Sequence, residues 1–213
     1  MISGNDSIGG QTISADGVAA ILAGTPLSAY ANTILTLSQK YGIDANWILS
    51  YLRWENGFGS ANSFSIGNNN PWDILCYPGQ WGEVGQDNES NGYCYAVYPS
   101  MNVGLEAGYR LWSSYVSEGY NTWFKSLSVA ECGNPDGCSG SWVQNVIAQA
   151  NRNASEYPYV PSMPATGGSG GTQPPMPALA IGNWQPSALA VSLGMLAVVA
   201  AGAMAYYAVN GRL

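Results

Sequence analysis

Residues 41–60 read YGIDANWILSYLRWENGFGS, and the parsing of this stretch decides the fold. Asp44 is a good N-cap, because its carboxylate can accept from the unpaired N–H groups of a helix's first turn. Beyond it Trp47, Ile48, Tyr51 and Leu52 share one face at helical spacing, and Asn56-Gly57 ends the run. The preceding segment repeats the pattern. Leu27, Tyr30, Ala31, Ile34, Leu35, Ser38 and Tyr41 follow the i, i+3, i+4, i+7 rule, starting after Pro26 and stopping at Gly42. Together the two predict a helical hairpin.

Outward from this hairpin the chain changes character and then returns to helix. In residues 76–98, Gly79, Gly82, Gly85 and Asn91-Gly92 interrupt the chain while Tyr93, Tyr95 and Val97 alternate, which predicts a short β-hairpin lobe clipped by Cys76 and Cys94. Helical spacing resumes over Val103–Ser117 and Trp142–Asn151. The expected class is α+β, a mainly helical domain over 27–157 with a small β-hairpin lobe, preceded by an arm with a short helix at 1–26.

After Tyr157 the composition shifts. Residues 158–186 carry Pro158, Pro161, Pro164, Pro174, Pro175, Pro177 and Pro186 around the run Gly167-Gly168-Ser169-Gly170-Gly171, a linker of stiff pieces about a flexible hinge. Residues 187–209 contain no charge, and at ~1.5 Å per residue a helix there reaches about 34 Å, enough for a ~30 Å hydrocarbon core. One C-terminal transmembrane helix is expected, with Trp184, Tyr206 and Tyr207 as interfacial anchors and a short tail at 210–213. Met1–Gly10 has no positive region of the kind a secretory signal needs.

Composition excludes several kinds of chemistry. The 213 residues include 6 Lys or Arg, 13 Asp or Glu and no His. Too few cations are present to neutralise a phosphate backbone, so no nucleic-acid partner is expected. Without imidazole there is no Ser-His or Cys-His nucleophile, and the cysteines lack the CxxC spacing of a zinc ribbon, so neither metal nor cofactor is expected. Cys76 with Cys94 and Cys132 with Cys138 is the simplest disulfide pairing, with buried free thiols as the alternative.

Among the acids Glu55 stands out. It follows Tyr51 by four residues and Leu52 by three, on the apolar face and at the helix C-terminus, where both lost hydration and the negative end of the helix dipole disfavour ionisation. An acid that keeps its proton near neutral pH suits protonation of a departing glycosidic oxygen. The plainer alternative is that Glu55 caps the following turn or pairs with Arg53 or Arg110. The polar loop Asn68-Asn69-Asn70-Pro71-Trp72 supplies amides that can read sugar hydroxyls. Trp72, Trp81, Tyr93 and Tyr98 supply rings that can stack on pyranose faces, although the ordinary place of any such ring is the core.

Three strings, YGIDANWILSYLRWENGFGS, IGNNNPWDI and YAVYPSMNVGLEAGYRLW, resemble the N-acetylglucosaminidase group of the lysozyme-like superfamily, found in bacterial autolysins, flagellar-rod hydrolases and phage cell-wall enzymes. The likeness covers roughly Ala23–Asn151. It implies a lysozyme-like domain that cuts the β-1,4 glycan chain of peptidoglycan, with Glu55 as general acid and an auxiliary acid in the hairpin. Of Glu83, Asp87 and Glu89 there, Glu83 is the choice. Asn69, Asn70, Trp72, Trp81 and Tyr98 would bind substrate, and Tyr120 would be the cleft tyrosine of the group. Two departures stand out: Asn56 occupies a position usually Ser or Thr, and Trp72-Asp73 replaces a small pair.

The expected function is therefore a membrane-anchored glycoside hydrolase whose partners are peptidoglycan glycan chains and, through residues 187–209, a lipid bilayer. A non-catalytic glycan-binding or structural virion protein and a lytic transglycosylase are the alternatives. A tail anchor without a signal peptide would leave the domain in the cytoplasm, away from the wall. A phage with an internal virion membrane would resolve this, with virion membrane or capsid proteins as further partners; a bacterial cell envelope is the other location.

Overall fold

A computed structural model describes residues 1–59, 63–76, 79–88, 92–138 and 140–161. The expected linker beyond residue 161, the transmembrane segment 187–209, the tail 210–213 and Glu89 lie outside the described residues. Seven α-helices and one β-hairpin are described: α1 (Ala15–Leu22), α2 (Ala31–Tyr41), α3 (Ala45–Asn56), α4 (Ser63–Gly67), β1 (Gly85–Asn88), β2 (Cys94–Val97), α5 (Met101–Ser117), α6 (Trp123–Cys132) and α7 (Trp142–Glu156). The α+β class expected from the sequence is the class found. Among the described residues no helix is long and apolar enough to cross a membrane.

The central element is α3. Asp44 caps it through the Asn46 N–H at 2.9 Å, and Gly57 ends it in the left-handed conformation, with Gly57 and Phe58 N–H groups closing on the Arg53 and Leu52 carbonyls. Between the caps Trp47, Ile48, Leu49 and Leu52 are fully buried, each contributing on the order of 1.5–3 kcal/mol of transfer free energy. Around them Trp47 stacks on Tyr51, and both meet the edge of Trp112 on α5.

Polar side chains fix how α7 lies on α3. Asn46 donates to the Ala150 carbonyl and to Thr12 Oγ1, both at 2.9 Å, while Asn153 donates to Asn46 Oδ1 at 2.9 Å and to Ser50 Oγ at 3.2 Å. Gln149 continues the chain to Asn153 Oδ1 at 2.8 Å. Elsewhere α2 meets α5 through Glu106, which accepts from Lys40, Tyr41 and Arg110. Three donors on one carboxylate, Lys40 foremost, hold Glu106 down at about 2, against the opposing pull of partial burial. Lys40 is raised in turn, first by its hydrogen bond to Glu106 and further by Tyr41.

The N-terminal arm belongs to the same core. Ile2, Ile8 and Ile13 are buried, Ile8 N–H donates to Asn121 and Asp44 N–H to the Ile8 carbonyl, and Trp123 N–H reaches Asp6. The hairpin is antiparallel, pairing Gly85 with Val97 and Asn88 with Cys94. Cys76–Cys94 clips it to the preceding loop, and Cys132–Cys138 closes the end of α6, the simplest pairing read from the sequence.

Candidate active site

Glu55 stands on the last turn of α3 with an exposed side chain. Its carboxyl is nonetheless pushed up to about 7, first by desolvation and then by the charges of Asp73 and Glu131. Surface area describes an open side chain, whereas the surroundings of the carboxyl describe an enclosed one. The atoms around the carboxyl oxygens withhold enough water to raise it, although the side chain as a whole reaches solvent. Among the described residues Glu55 forms no ion pair, and Arg110 is taken by Glu106 and Tyr41. Among the described residues the turn after α3 is closed by backbone and by Asn56.

Asn56 is almost fully buried and joins three segments. Its Nδ2 donates to the Pro71 carbonyl at 2.8 Å and to Asp73 Oδ2 at 3.0 Å, while its Oδ1 accepts from Gly59 N–H at 2.8 Å. Ser65 Oγ donates to the other oxygen of Asp73 at 2.5 Å. Asp73 itself sits at φ 53°, a left-handed value costly for a residue with a Cβ. The end of α3 and the 68–73 turn are thereby one rigid unit.

Several residues expected to bind substrate have other duties. Asn70 is fully buried and spends its amide on the backbone, donating to Ile74 and Ala96 carbonyls and accepting from Ile74 N–H. Trp72 is a core ring and not a platform: its Nε1 donates to the Leu105 carbonyl at 3.2 Å and its indole packs on Gly108. Tyr98 is also buried, and burial foremost, then Glu83, drives its phenol upward. For Asn70 the cause is plain: a turn with few regular backbone bonds recruits a side-chain amide to close itself.

Asn69, Trp81 and Tyr120 remain partly exposed. Asn69 donates to the Tyr98 carbonyl at 2.9 Å, Trp81 sits at φ 50° in the short turn Gln80–Gly82, and Tyr120 lies 6.2 Å from the Tyr115 ring. Tyr93 is half-buried beside Tyr95. Glu83 follows the Gln80–Gly82 turn, and its charge acts on Tyr98, not on Glu55. Asp87 accepts from Asn68 at 2.9 Å. The carboxylates that act on Glu55 are therefore Asp73, visible in the sequence only as a departure, and Glu131 on α6, which the sequence reading passed over. Both belong to segments distant in the chain, so no local spacing could have found them.

Tyr51 lies beneath Glu55 on the same face; burial first, then Glu55, drives its phenol well up. Trp54, next to Glu55, is exposed. Among the described residues no group of three or more His, Cys, Asp or Glu side chains could hold a metal ion. The arrangement is a single proton-holding carboxyl open to solvent, backed by aromatic rings. No family model matches the sequence, and no curated protein matches it significantly.

Proposed function

We propose that the domain is a peptidoglycan hydrolase of the lysozyme-like kind, cutting the β-1,4 glycan backbone with Glu55 as general acid. The carrying observation is Glu55 itself, a solvent-reached carboxyl at a helix end that desolvation pushes up to about 7. In the reaction its proton passes to the glycosidic oxygen as the C–O bond breaks, and water adds its hydroxyl to the anomeric carbon while the proton it releases returns to the Glu55 carboxylate. Residues 187–209 would anchor the enzyme in a bilayer, and a phage virion membrane is the setting that brings it to the wall; recovery of the chain from purified particles tests that location.

The test of the chemistry is product analysis on purified sacculi with wild type and Glu55→Gln in parallel. Reducing ends released by wild type and lost in Glu55→Gln support hydrolysis. Unchanged lysis by the variant would overturn the assignment of Glu55, and sacculus binding without any cleavage would mark a binding protein. A second reading is favoured by one observation, that the acids acting on Glu55 do not include the hairpin's Glu83. A lytic transglycosylase needs one acid only, and anhydro ends in the product would identify it.

A further inference from the structure

Tyr51 stands one turn before Glu55 on α3, so the two share a face of the helix. Helical side chains lean toward the N-terminus, which directs the Glu55 side chain over the Tyr51 ring. Four tryptophans hold that ring. Trp47 stacks on it at 5.4 Å and Trp72 lies tilted at 6.0 Å, while Trp112 and Trp142 meet it edge to face at 5.3 and 5.9 Å. The four come from α3, the 68–73 turn, α5 and the first residue of α7, so the ring is fixed by the tertiary structure and not by its own helix alone.

This packing accounts for the ring and not for the hydroxyl. A phenylalanine would fill the same space, and a tyrosine at this depth ordinarily finds a partner for its O–H. Tyr109 does so: fully buried, its hydroxyl lies 2.7 Å from Ser38 Oγ and donates to the Ile34 carbonyl at 3.0 Å. Tyr51 is 8% exposed, and its hydroxyl makes no hydrogen bond among the described residues. The Tyr98 hydroxyl also lacks a partner, but its oxygen is sealed inside the protein, beyond the reach of a ligand. At Tyr51 one wall of the cage is open: Trp47, Trp72 and Trp112 are buried, whereas Trp142 is only half-buried. The accessible part of the phenol is therefore bordered by Trp142 and by the exposed Glu55.

We infer that Tyr51 and Trp142 seat a substrate N-acetyl group beside Glu55, the Tyr51 O–H donating to its amide carbonyl and the Trp142 ring covering its methyl. The inference rests on the reading of Glu55 as the acid of a glycan hydrolase and adds which substituent is gripped next to it. The chemistry of the two side chains selects that group. A phenol held among four indoles keeps its proton and acts as a donor, and it calls for a neutral acceptor, because an anion placed there would face the Glu55 carboxyl. An N-acetyl group offers a carbonyl for the donor and a methyl for the ring, whereas a sugar hydroxyl offers nothing for the ring to cover.

The test is calorimetric binding of two ligands to the full chain in detergent: the β-1,4 tetramer of N-acetylglucosamine and its N-deacetylated counterpart. Both are measured in the Glu55→Gln protein with and without Tyr51→Phe, which removes the hydroxyl and keeps the ring. Tyr51→Phe is expected to leave the circular dichroism and the thermal midpoint in place. It should weaken the acetylated tetramer about five- to tenfold, as loss of one hydrogen bond does, and leave binding of the deacetylated one unchanged. Trp142→Leu, folded by circular dichroism, should likewise weaken the acetylated tetramer more than the other. Equal effects on the two ligands, no effect on either, or no binding of the acetylated tetramer to the parent overturns the inference, while cleavage of sacculi by wild type and its loss in Glu55→Gln still stand. Cleavage that survives Glu55→Gln removes the functional reading instead, and leaves the acetyl-dependent difference between the tetramers as measured.

Discussion

The indole of Trp72 packs directly on the backbone of Gly108 in α5, and a Cβ at that position would overlap the ring. Neither partner has room to yield, since Trp72 is buried, bound through Nε1 to Leu105, and edge-on to Tyr109. Gly108→Ala is expected to cost about 1–3 kcal/mol, the usual penalty of overpacking a filled core. Because Trp72 precedes Asp73, the same change should also disturb the end of α3. Gly67→Ala, where the space is open, is the control. Urea midpoints of the two variants give the comparison.

Activity should fall as pH rises through about 7, where Glu55 gives up its proton. The sign for stability follows from the same shift. Between the ordinary carboxyl value of 4.5 and about 7 the folded chain holds more proton on Glu55 than the unfolded chain does. That group's contribution to stability therefore declines with rising pH across the window. Glu55→Gln, which has nothing to ionise, is expected to match wild type at about pH 4 and to exceed it at about pH 8. Thermal melts of both proteins at the two pH values decide it; a variant no better than wild type at the higher pH contradicts the raised carboxyl.

Asn46 serves Thr12, Ala150, Ser50 and Asn153 at once, from a site with no exposure. Replacing it by Ala leaves one Asn153 amide hydrogen without its acceptor inside the protein while the other keeps Ser50 Oγ, at about 1–3 kcal/mol for the group left unpaired. Asn46→Ala is thus expected to lower the unfolding midpoint far more than Asn145→Ala, whose side chain is half-buried and bonds only Ser141 among the described residues. Chemical denaturation of the two variants checks this.

The two disulfides should differ in effect. Cys76–Cys94 closes a separation of 18 residues and Cys132–Cys138 one of 6. Loop entropy gives the first about 3 kcal/mol and the second somewhat less. Cys76→Ser with Cys94→Ser is expected to loosen the hairpin, seen as faster amide exchange over β1 and β2, while the helical core keeps its circular dichroism.

The helices that carry local punctuation were legible in the sequence. Asp44, Gly42 and Gly57 mark the limits of α2 and α3, and the structure ends both helices with those glycines in the left-handed conformation. The expected helix from Leu27 is divided in fact, a short turn at Ser28–Tyr30 leading into α2. Helix α6 was missed because its buried face includes Ser126 and Ser128, which blur the apolar period. Ser126 is buried because Trp47 Nε1 donates to it at 3.0 Å, a contact that only the folded chain creates. Thr122 as cap and Gly133 at the end were the available signals. The exposed, raised carboxyl of Glu55 follows from its place at the end of α3, whereas the duty of Asn70 depends on which backbone groups of the turn lack partners. That is a property of the closed turn.

The strand-like contact between the two ends of the domain has a mechanical meaning. Ile13 bridges Pro158, Ser14 N–H binds the Tyr157 carbonyl, and Tyr159 N–H binds Thr12. Any load transmitted by the chain beyond residue 161 therefore enters beside Thr12–Ser14, at a seam stapled to the arm, and not at the bare end of α7. Tension applied there would strain these few hydrogen bonds before it reached the helices.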